Sequence, residues 1–176
     1  VLAAMADAAA RARALGIPLA RIAAGLARFV PPEGRLGIRQ ADCGATILDD
    51  TYNANPASLQ AAVEVLTGMP GQPWVALGAM AELGGDAAGL HREAGALLRQ
   101  LGVRRLYVLG PQRREVLLGF DGPGGRAFDC LDDLTAALEQ DLTAGVNLLV
   151  KGSRLARMER VVRHLSAVER AGAGSC

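Results

Sequence analysis

Polar side chains crowd one short turn of this sequence, between an apolar run ending at Leu48 and an amphipathic segment beginning near Pro56. The string DDTYNANPAS, residues 49–58, places two carboxylates, a tyrosine and two carboxamides almost in succession. Asn55 before Pro56 fits a helix N-cap followed by proline in the first helical turn. The other polar residues exceed what a strand-to-helix turn needs. Asp50, at the end of the strand, is a candidate to accept hydrogen bonds from a ribose hydroxyl pair.

Three other residues of this turn have two possible explanations each. Asn53 and Asn55 are either local turn and cap residues or ligands of a polar substrate, and Asp49 is equally well a solvated or turn-forming carboxylate. The helix that follows presents its N-terminus to the turn, which favours an anionic group nearby. Tyr52 has no structural explanation in the sequence alone.

A second group of polar candidates follows the apolar residues LLV in the string LLVKGSR, residues 148–154. Lys151, Ser153 and Arg154 follow a buried strand at a predicted helix start, where backbone N–H groups, an ammonium and a hydroxyl suit a carboxylate or phosphate. The sequence GxxxxGK[ST] of a P-loop occurs nowhere in the chain. We therefore predict an anion-binding segment of another kind.

Three single residues complete the candidates. Arg35 follows PPEG at the change from helical to strand-like sequence, where it is either a surface charge or a contact to a nucleotide bound between domains. The loop GAMAELGG, residues 78–85, lacks the GxGxxG order of a dinucleotide site, and Glu82 is its polar candidate. His91 lies on the next predicted helix, where a lone histidine is more often structural or exposed than catalytic.

Apolar strands alternate with amphipathic helices along most of the chain, which predicts βαβ units and an α/β fold with a mostly parallel sheet and helices on both faces. The predicted helices cover 1–15, 19–30, 56–68, 87–101, 111–119, 131–140 and 154–168. The predicted strands cover 36–41 and 45–50, as a hairpin, then 74–79, 104–110, 126–128 and 146–152. Ligands bind at the carboxyl ends of such strands. We therefore expect the loops DDTYNANP, GAMAELGG, GPQRR and KGSR to face one common site.

Composition argues against several classes of partner. Nineteen basic and eighteen acidic residues among 176 give a net charge of +1, so we expect neither nucleic acid nor an anionic membrane surface as partner. Three separated cysteines without a CxxC spacing predict reduced thiols in a cytoplasmic protein and no metal site in this chain. No apolar stretch has the length of a transmembrane helix. We expect a monomer, and the uncapped first helix leads us to expect that the chain begins partway through a larger protein.

Combined, these motifs resemble the Mur ligases over nearly the whole chain: GR before a strand, LDDTYNANPASLQAAVEVL, ALGAMAELG followed by a histidine, and LLVKGSR. The resemblance implies a Rossmann-like C-terminal domain over residues 34–176. It implies that residues 1–33 are the helical end of the central ATP-binding domain. The string DDxYNANPxS points to the family member that joins D-Ala-D-Ala to UDP-N-acetylmuramoyl-tripeptide.

The chemistry implied by the resemblance is an ATP-dependent amide ligation through an acyl phosphate, with Mg²⁺ stabilising charge at the phosphates. By position, Arg35 and Asp50 match the nucleotide-contacting Arg and Asp of the family. Asn53, Asn55 and Lys151 fall in loops that would face the dipeptide and the reacting groups. The family's P-loop and Mg²⁺-binding carboxylates precede the segment that this chain resembles, so we expect the isolated chain to be inactive.

The sequence departs from the family pattern at one position, and three other functions are compatible with parts of the pattern. The family has an Asp in GDMxELG where this chain has Ala79, which puts a role for that carboxylate in doubt. A non-catalytic module that binds a nucleotide or small anion would share the fold, and so would a sister amide ligase, although a sister enzyme should lack YNANP. A dehydrogenase is the weakest alternative, because no Gly-rich fingerprint follows a first strand.

Overall fold

In the computed structural model, the chain is described over residues 2–81 and 84–166, and it begins with two helices followed by a six-stranded sheet. The helices are α1 (Leu2–Ala14), α2 (Leu19–Ala27), α3 (Pro56–Gly68), α4 (Ala87–Gln100), α5 (Arg113–Phe120), α6 (Leu131–Asp141) and α7 (Glu159–Leu165). The strands are β1 (Gly37–Gln40), β2 (Thr46–Asp50), β3 (Gln72–Leu77), β4 (Arg105–Leu109), β5 (Gly125–Phe128) and β6 (Val146–Lys151).

The strands follow the order β1-β2-β6-β3-β4-β5 across the sheet. β1 and β2 form the predicted antiparallel hairpin, and all other neighbouring strands are parallel. The last of the described strands, β6, therefore lies in the interior of the sheet, between β2 and β3. The predicted α/β class with a mostly parallel sheet is confirmed.

Helices cover both faces of the sheet, as predicted. Residues alternate along β6, so that Leu148 and Val150 pack with α6 and α7 while Leu149 packs with α3, α4 and α5. All six residues of β6 are buried, as expected for an interior parallel strand. Within the described part of the chain, no helix combines the length and apolar character needed to cross a membrane.

Several predicted boundaries differ from the structure, among them α2, which ends at Ala27 instead of residue 30, and α5, which begins at Arg113 instead of residue 111. β3 spans Gln72–Leu77 instead of 74–79. The predicted helix 154–168 is replaced by a short 3₁₀ turn, Arg154–Ala156, followed by α7 from Glu159, and its last two residues lie outside the described range. Arg157 between the two has a left-handed backbone with φ of 51°, which a continuous α-helix cannot contain.

Glycine allows a very close approach between α4 and α5. A Cβ atom at Gly95 would lie 2.0 Å from the Val116 carbonyl oxygen. A Cβ atom at Gly119 would lie 1.9 Å from the Arg92 carbonyl oxygen, so each helix has a glycine where the other helix backbone passes. These two helices pack as one unit on the sheet.

A row of aromatic rings runs along the sheet on the side of α6. The Tyr107 ring stacks with Trp74 at 6.0 Å and with Phe128 at 5.9 Å. The Tyr107 hydroxyl donates to Asp141 at 2.6 Å, and Arg126 donates to the same carboxylate oxygen at 2.8 Å. Burial, together with the hydrogen bond to Asp141, raises the pKa of Tyr107 to about 12.

The connections that follow β2 and β6 leave the sheet towards opposite faces. The loop after β2 leads to α3, which packs on one face, whereas the loop after β6 leads to α7, which packs on the other. Neighbouring strands whose loops separate in this way leave a crevice at their carboxyl ends. The sheet therefore predicts a binding cleft beside Asp50 and Lys151.

Candidate functional site

An ion pair between Asp50 and Lys151 forms the base of this crevice. The two residues are register partners at the ends of β2 and β6, and the Lys151 ammonium donates to Asp50 Oδ2. Lys151 is 1% exposed and also donates to the Asn53 carbonyl oxygen at 2.8 Å. A buried ammonium is stable only when it is paired and hydrogen-bonded. Asp50 and the turn that follows it therefore supply the partners that the buried Lys151 ammonium requires.

The neighbouring carboxylate, Asp49, organises the start of the turn. It is 3% exposed and accepts from the Thr51 hydroxyl at 2.7 Å and the Thr51 N–H at 3.3 Å. Arg39 on β1 approaches the other Asp49 oxygen at 3.7 Å. The turn-forming explanation of Asp49 agrees with these contacts.

The two carboxamides of the turn make local contacts. Asn53 Oδ1 accepts from the Ala54 N–H at 2.9 Å. Asn55 is the N-cap of α3: its Oδ1 accepts from the Ser58 N–H at 2.8 Å, and the Ser58 hydroxyl accepts from the Asn55 N–H at 3.1 Å. The predicted cap is confirmed, and it forms a reciprocal capping box.

Tyr52 brings two arginines from distant parts of the sequence to the mouth of the crevice. The Arg35 guanidinium carbon lies 4.1 Å from the centre of the Tyr52 ring, and that of Arg154 lies 5.7 Å from it. The backbone that carries this ring is held next to Arg35, because the Tyr52 N–H donates to the Gly34 carbonyl oxygen at 2.9 Å. The amino-acid pattern does not explain Tyr52, and the crowding of polar residues in this turn is the signal in the sequence that points to it.

These groups surround a cleft of about 520 Å³, which we call the β2–β6 cleft. Its lining residues are Arg35, Leu36, Asp50, Tyr52, Asn53, Asn55, Ala57, Ser58, Ala61, Ala62 and Lys151. Five predicted site residues, Arg35, Asp50, Asn53, Asn55 and Lys151, are thus brought together. The N-terminus of α3 borders the same space and adds a positive dipole end.

A second concavity of about 650 Å³, the β3–β4 cavity, lies at the carboxyl ends of the next strands. Its lining is mostly apolar, with Arg113 as its cation and Ser153 as its buried hydroxyl residue: Ala79, Met80, Ala81, Leu109, Gly110, Pro111, Gln112, Arg113, Asp129, Cys130, Leu131, Ser153, Leu155 and Ala156. The expectation of one common site for four loops was wrong. DDTYNANP lines the first space, GAMAELGG and GPQRR line the second, and KGSR contributes Lys151 to the first and Ser153 to the second.

The remaining predicted residues lie elsewhere. His91 is 2% exposed, its Nε2 accepts from the Met80 N–H at 3.3 Å, and its Nδ1 lies 2.6 Å from the Ala87 carbonyl oxygen. Both ring nitrogens are occupied by backbone, so the structure does not bring His91 to the cleft, and it supports the loop after β3 instead. Arg154 does not line the β2–β6 cleft but contacts Tyr52 at its rim, beside a smaller concavity that also includes Glu33 and Glu159. Glu82 lies outside the described residues.

The donor set of the β2–β6 cleft suits a nucleotide better than a metal ion. Asp50 is engaged with Lys151, and Asp49 with Thr51 and Arg39. Residues 2–81 and 84–166 contain no group of three or more His, Cys, Asp or Glu residues that could hold a metal ion. A ribonucleotide requires an acceptor for its ribose hydroxyl groups and cations for its phosphates. The cleft offers the Asp50 carboxylate for the first, and Arg35 and Lys151 for the second.

Comparison with known proteins identifies the fold and its relatives. The family model described as Mur ligase, glutamate ligase domain, matches residues 34–154. The UDP-N-acetylmuramoyl-tripeptide–D-alanyl-D-alanine ligase of Escherichia coli is 38% identical over 162 residues, which cover 90% of this chain and 35% of that protein. The Mycobacterium bovis ligase of the same name is 34% identical over 94% of this chain and 37% of its own length.

Solved structures give the same result. MurF ligase from Thermotoga maritima, in complex with ADP, superimposes with a TM-score of 0.73 at 27% identity, over 93% of this chain and 37% of that one. MurF from Acinetobacter baumannii superimposes with a TM-score of 0.71 at 31% identity, over 88% of this chain and 35% of that one. The chain thus spans just over a third of the length of these relatives. These matches do not favour a free-standing non-catalytic module.

Proposed function

The chain belongs to the Mur ligase family, through its glutamate ligase domain, and from that premise we propose that it is the C-terminal part of an ATP-dependent peptidoglycan precursor ligase. The complete ligase would join D-Ala-D-Ala to UDP-N-acetylmuramoyl-tripeptide through an acyl phosphate. The observation that carries this proposal is the β2–β6 cleft, in which Asp50, Lys151 and Arg35 converge on one crevice.

ATP would occupy the β2–β6 cleft. Asp50 is a suitable acceptor for a ribose hydroxyl, because Lys151 engages only its Oδ2 atom within the described part of the chain. Arg35 would meet the phosphates, since a guanidinium matches phosphate oxygens in a bidentate manner. The relative from Thermotoga maritima, whose structure was solved with ADP, supports this assignment.

The amine substrate would enter from the neighbouring β3–β4 cavity. Its apolar lining suits the methyl groups of a dialanine, and Arg113, which pairs with Asp129 in this structure, would exchange that partner for the dipeptide carboxylate. Ser153 lies in this cavity, whereas Asn53, Asn55, Lys151 and Arg154 lie around the adjoining cleft. We propose that the reacting groups meet between the two spaces, next to the end of β6.

The division into domains is also a proposal. Residues 1–33 would be the helical end of the central ATP-binding domain and residues 34–176 the C-terminal domain. α2 has no buried residue although one side of it is apolar, and Phe29 and Val30 are 43% and 84% exposed. Met5, Leu26 and Phe29 line an apolar groove on the helical pair. A central domain packed on this groove would bury it.

Mg²⁺ would be held outside the residues described for this chain, since their carboxylates around the cleft are already engaged. The ion would supply charge stabilisation at the phosphates. We expect the isolated chain to bind substrate weakly and to catalyse no ligation. In the complete ligase, this domain would close over ATP and bring the amine.

The direct test is a ligation assay with the complete protein. Purified ligase is incubated with ATP, UDP-N-acetylmuramoyl-tripeptide and D-Ala-D-Ala, and the peptide product and ADP are measured by mass spectrometry. L-Ala-L-Ala is the matched control amine. Product with the D,D-dipeptide alone is the expected result. Preference for a single amino acid as the amine would refute the assignment in favour of a sister ligase, and ligation by the isolated chain would refute the requirement for a central domain.

A further inference from the structure

We propose that Tyr52 is a positioning residue of the β2–β6 cleft, which holds Arg35 and Arg154 at the rim as a joint site for the nucleotide phosphates. This inference rests on the proposed function, because it takes the ligand of the cleft to be ATP. Neither Tyr52 nor the pairing of Arg35 with Arg154 could be predicted from the sequence.

The first observation is the charge balance of the cleft. Lys151 is the deepest cation, but its charge is neutralised by Asp50, so it can offer little net attraction to a polyphosphate. Arg35 and Arg154 differ from it, because neither has an ion-pair partner among the described residues. Arg35 and Arg154, which contact Tyr52, are therefore the cations of this region that are not held in an ion pair, although Glu33 and Glu159 line the same concavity as Arg154.

The second observation is how the arginines are held. Arg35 lies in the segment that joins the helical pair to the sheet, and Arg154 lies on the exposed 3₁₀ turn after β6. Both are long side chains that lose much rotamer freedom when they are ordered. The Tyr52 ring contacts both guanidinium groups at 4.1 and 5.7 Å and restricts them before any ligand arrives.

The third observation is that the backbones on both sides of the ring are anchored. The Tyr52 N–H donates to the Gly34 carbonyl oxygen, next to Arg35. A Cβ atom at Gly34 would lie 3.0 Å from the Tyr52 nitrogen, so only glycine allows this contact without adjustment. The Ser153 N–H, next to Arg154, donates to the Ala79 carbonyl oxygen at 2.9 Å. The Tyr52 ring therefore connects two anchored backbone segments through its contacts with the long side chains of Arg35 and Arg154.

The experiment measures nucleotide binding to the complete ligase by calorimetry, with ATP, ADP, AMP and adenosine as probes. The variants are Tyr52→Leu, Tyr52→Phe, Arg154→Gln and the double variant Tyr52→Leu/Arg154→Gln. Arg160→Gln is the matched control, because Arg160 is an exposed arginine that pairs with Asp132 instead of Tyr52. The same variants are assayed for the KM of ATP and of the dipeptide.

We expect Tyr52→Leu and Arg154→Gln each to weaken ATP binding on the order of tenfold, the effect of one charge-assisted contact. Adenosine binding should change little, and Tyr52→Phe should retain wild-type affinity because the ring remains. The double variant should lose less affinity than the two single losses combined, since both changes remove the Tyr52–Arg154 contact.

Three results would overturn the inference. Unchanged ATP binding by Tyr52→Leu would exclude a positioning role, and equal loss for adenosine and ATP would assign Tyr52 to the base instead of the phosphates. Additive losses of ATP affinity in the double variant would show that Tyr52 and Arg154 act independently. A failure of the proposed function is distinguishable, because the wild-type ligase would then bind none of the four probes.

Discussion

Replacing either partner of the Asp50–Lys151 pair should destabilise the domain, and the two replacements should differ in size. Asp50→Asn leaves the Lys151 ammonium, which is 1% exposed, without a carboxylate. Removing one member of a buried pair costs about 3–5 kcal/mol, because an uncompensated charge stays buried. Lys151→Met leaves Asp50, whose side chain is 15% exposed and can regain water. We expect this second change to cost less, about 1–3 kcal/mol.

The double variant Asp50→Asn/Lys151→Met isolates the interaction. Neither charge remains in it, so its cost should be smaller than the sum of the single costs by at least about 2 kcal/mol. The measurement is urea unfolding of the 176-residue chain, followed by fluorescence of its single tryptophan. Trp74 is 4% exposed and is the register partner of Leu148 on β6, so its signal follows the strand that carries Lys151.

Two results would refute this reasoning about the pair. If Asp50→Asn were the milder of the two single changes, the buried Lys151 ammonium would not depend on Asp50 as its partner. If the single costs were simply additive in the double variant, the two groups would not interact energetically. As a control, the dependence of the unfolding free energy on urea concentration should be the same for the wild type and the three variants. Equal slopes show that the variants differ in stability and not in the compactness of the unfolded state.

Three further predictions concern residues away from this pair. Asn55→Ala should lower the unfolding free energy by about 1 kcal/mol while Asn55→Asp keeps the cap, and equal urea midpoints for the two variants would contradict this. Gly95→Ala should destabilise by several kcal/mol or prevent folding, because its Cβ would lie 2.0 Å from the Val116 carbonyl oxygen; a wild-type melting temperature would show that α4 and α5 can separate at no cost. The raised pKa of Tyr107, about 12, means that its stabilising contribution is complete below about pH 10 and is lost between about pH 10 and 12, by up to about 3 kcal/mol. Tyr107→Phe should remove this loss in alkaline urea titrations, and an identical pH profile for the variant would refute the assignment.

Most of the fold could be predicted because its signals are local. The β1–β2 hairpin, the alternating strands and helices, and the cap at Asn55 all follow from residues within a few positions of one another. The break before α7 depends instead on tertiary packing. A Cβ atom at Gly78 would lie 2.7 Å from Ala156 Cβ, and one at Gly152 would lie 2.7 Å from Met158 Cγ. The segment between Arg154 and Met158 is therefore pressed against two glycines, and a helical pattern does not reveal that constraint.

The candidate site could be predicted only in part. The sequence marked Arg35, Asp50 and Lys151 as polar residues at strand ends, and the sheet brings all three to one cleft. It could not predict that Asp50 binds Lys151, because that contact depends on the order of the strands. His91 is a candidate that the structure does not place at the cleft. The sequence shows a histidine near a loop, but it does not show that both ring nitrogens contact backbone atoms.

The interior position of β6 has a consequence for the making of the protein. β2 and β3 are synthesised before β6, yet they are not neighbours in the folded sheet, because β6 lies between them. Until residues 146–151 leave the ribosome, both strands have an unpaired edge, and Asp50 has no cation beside it. A chain shortened before Val146 would therefore lose its sheet centre and its cleft together. The cleft can therefore form only after residues 146–151 have been synthesised.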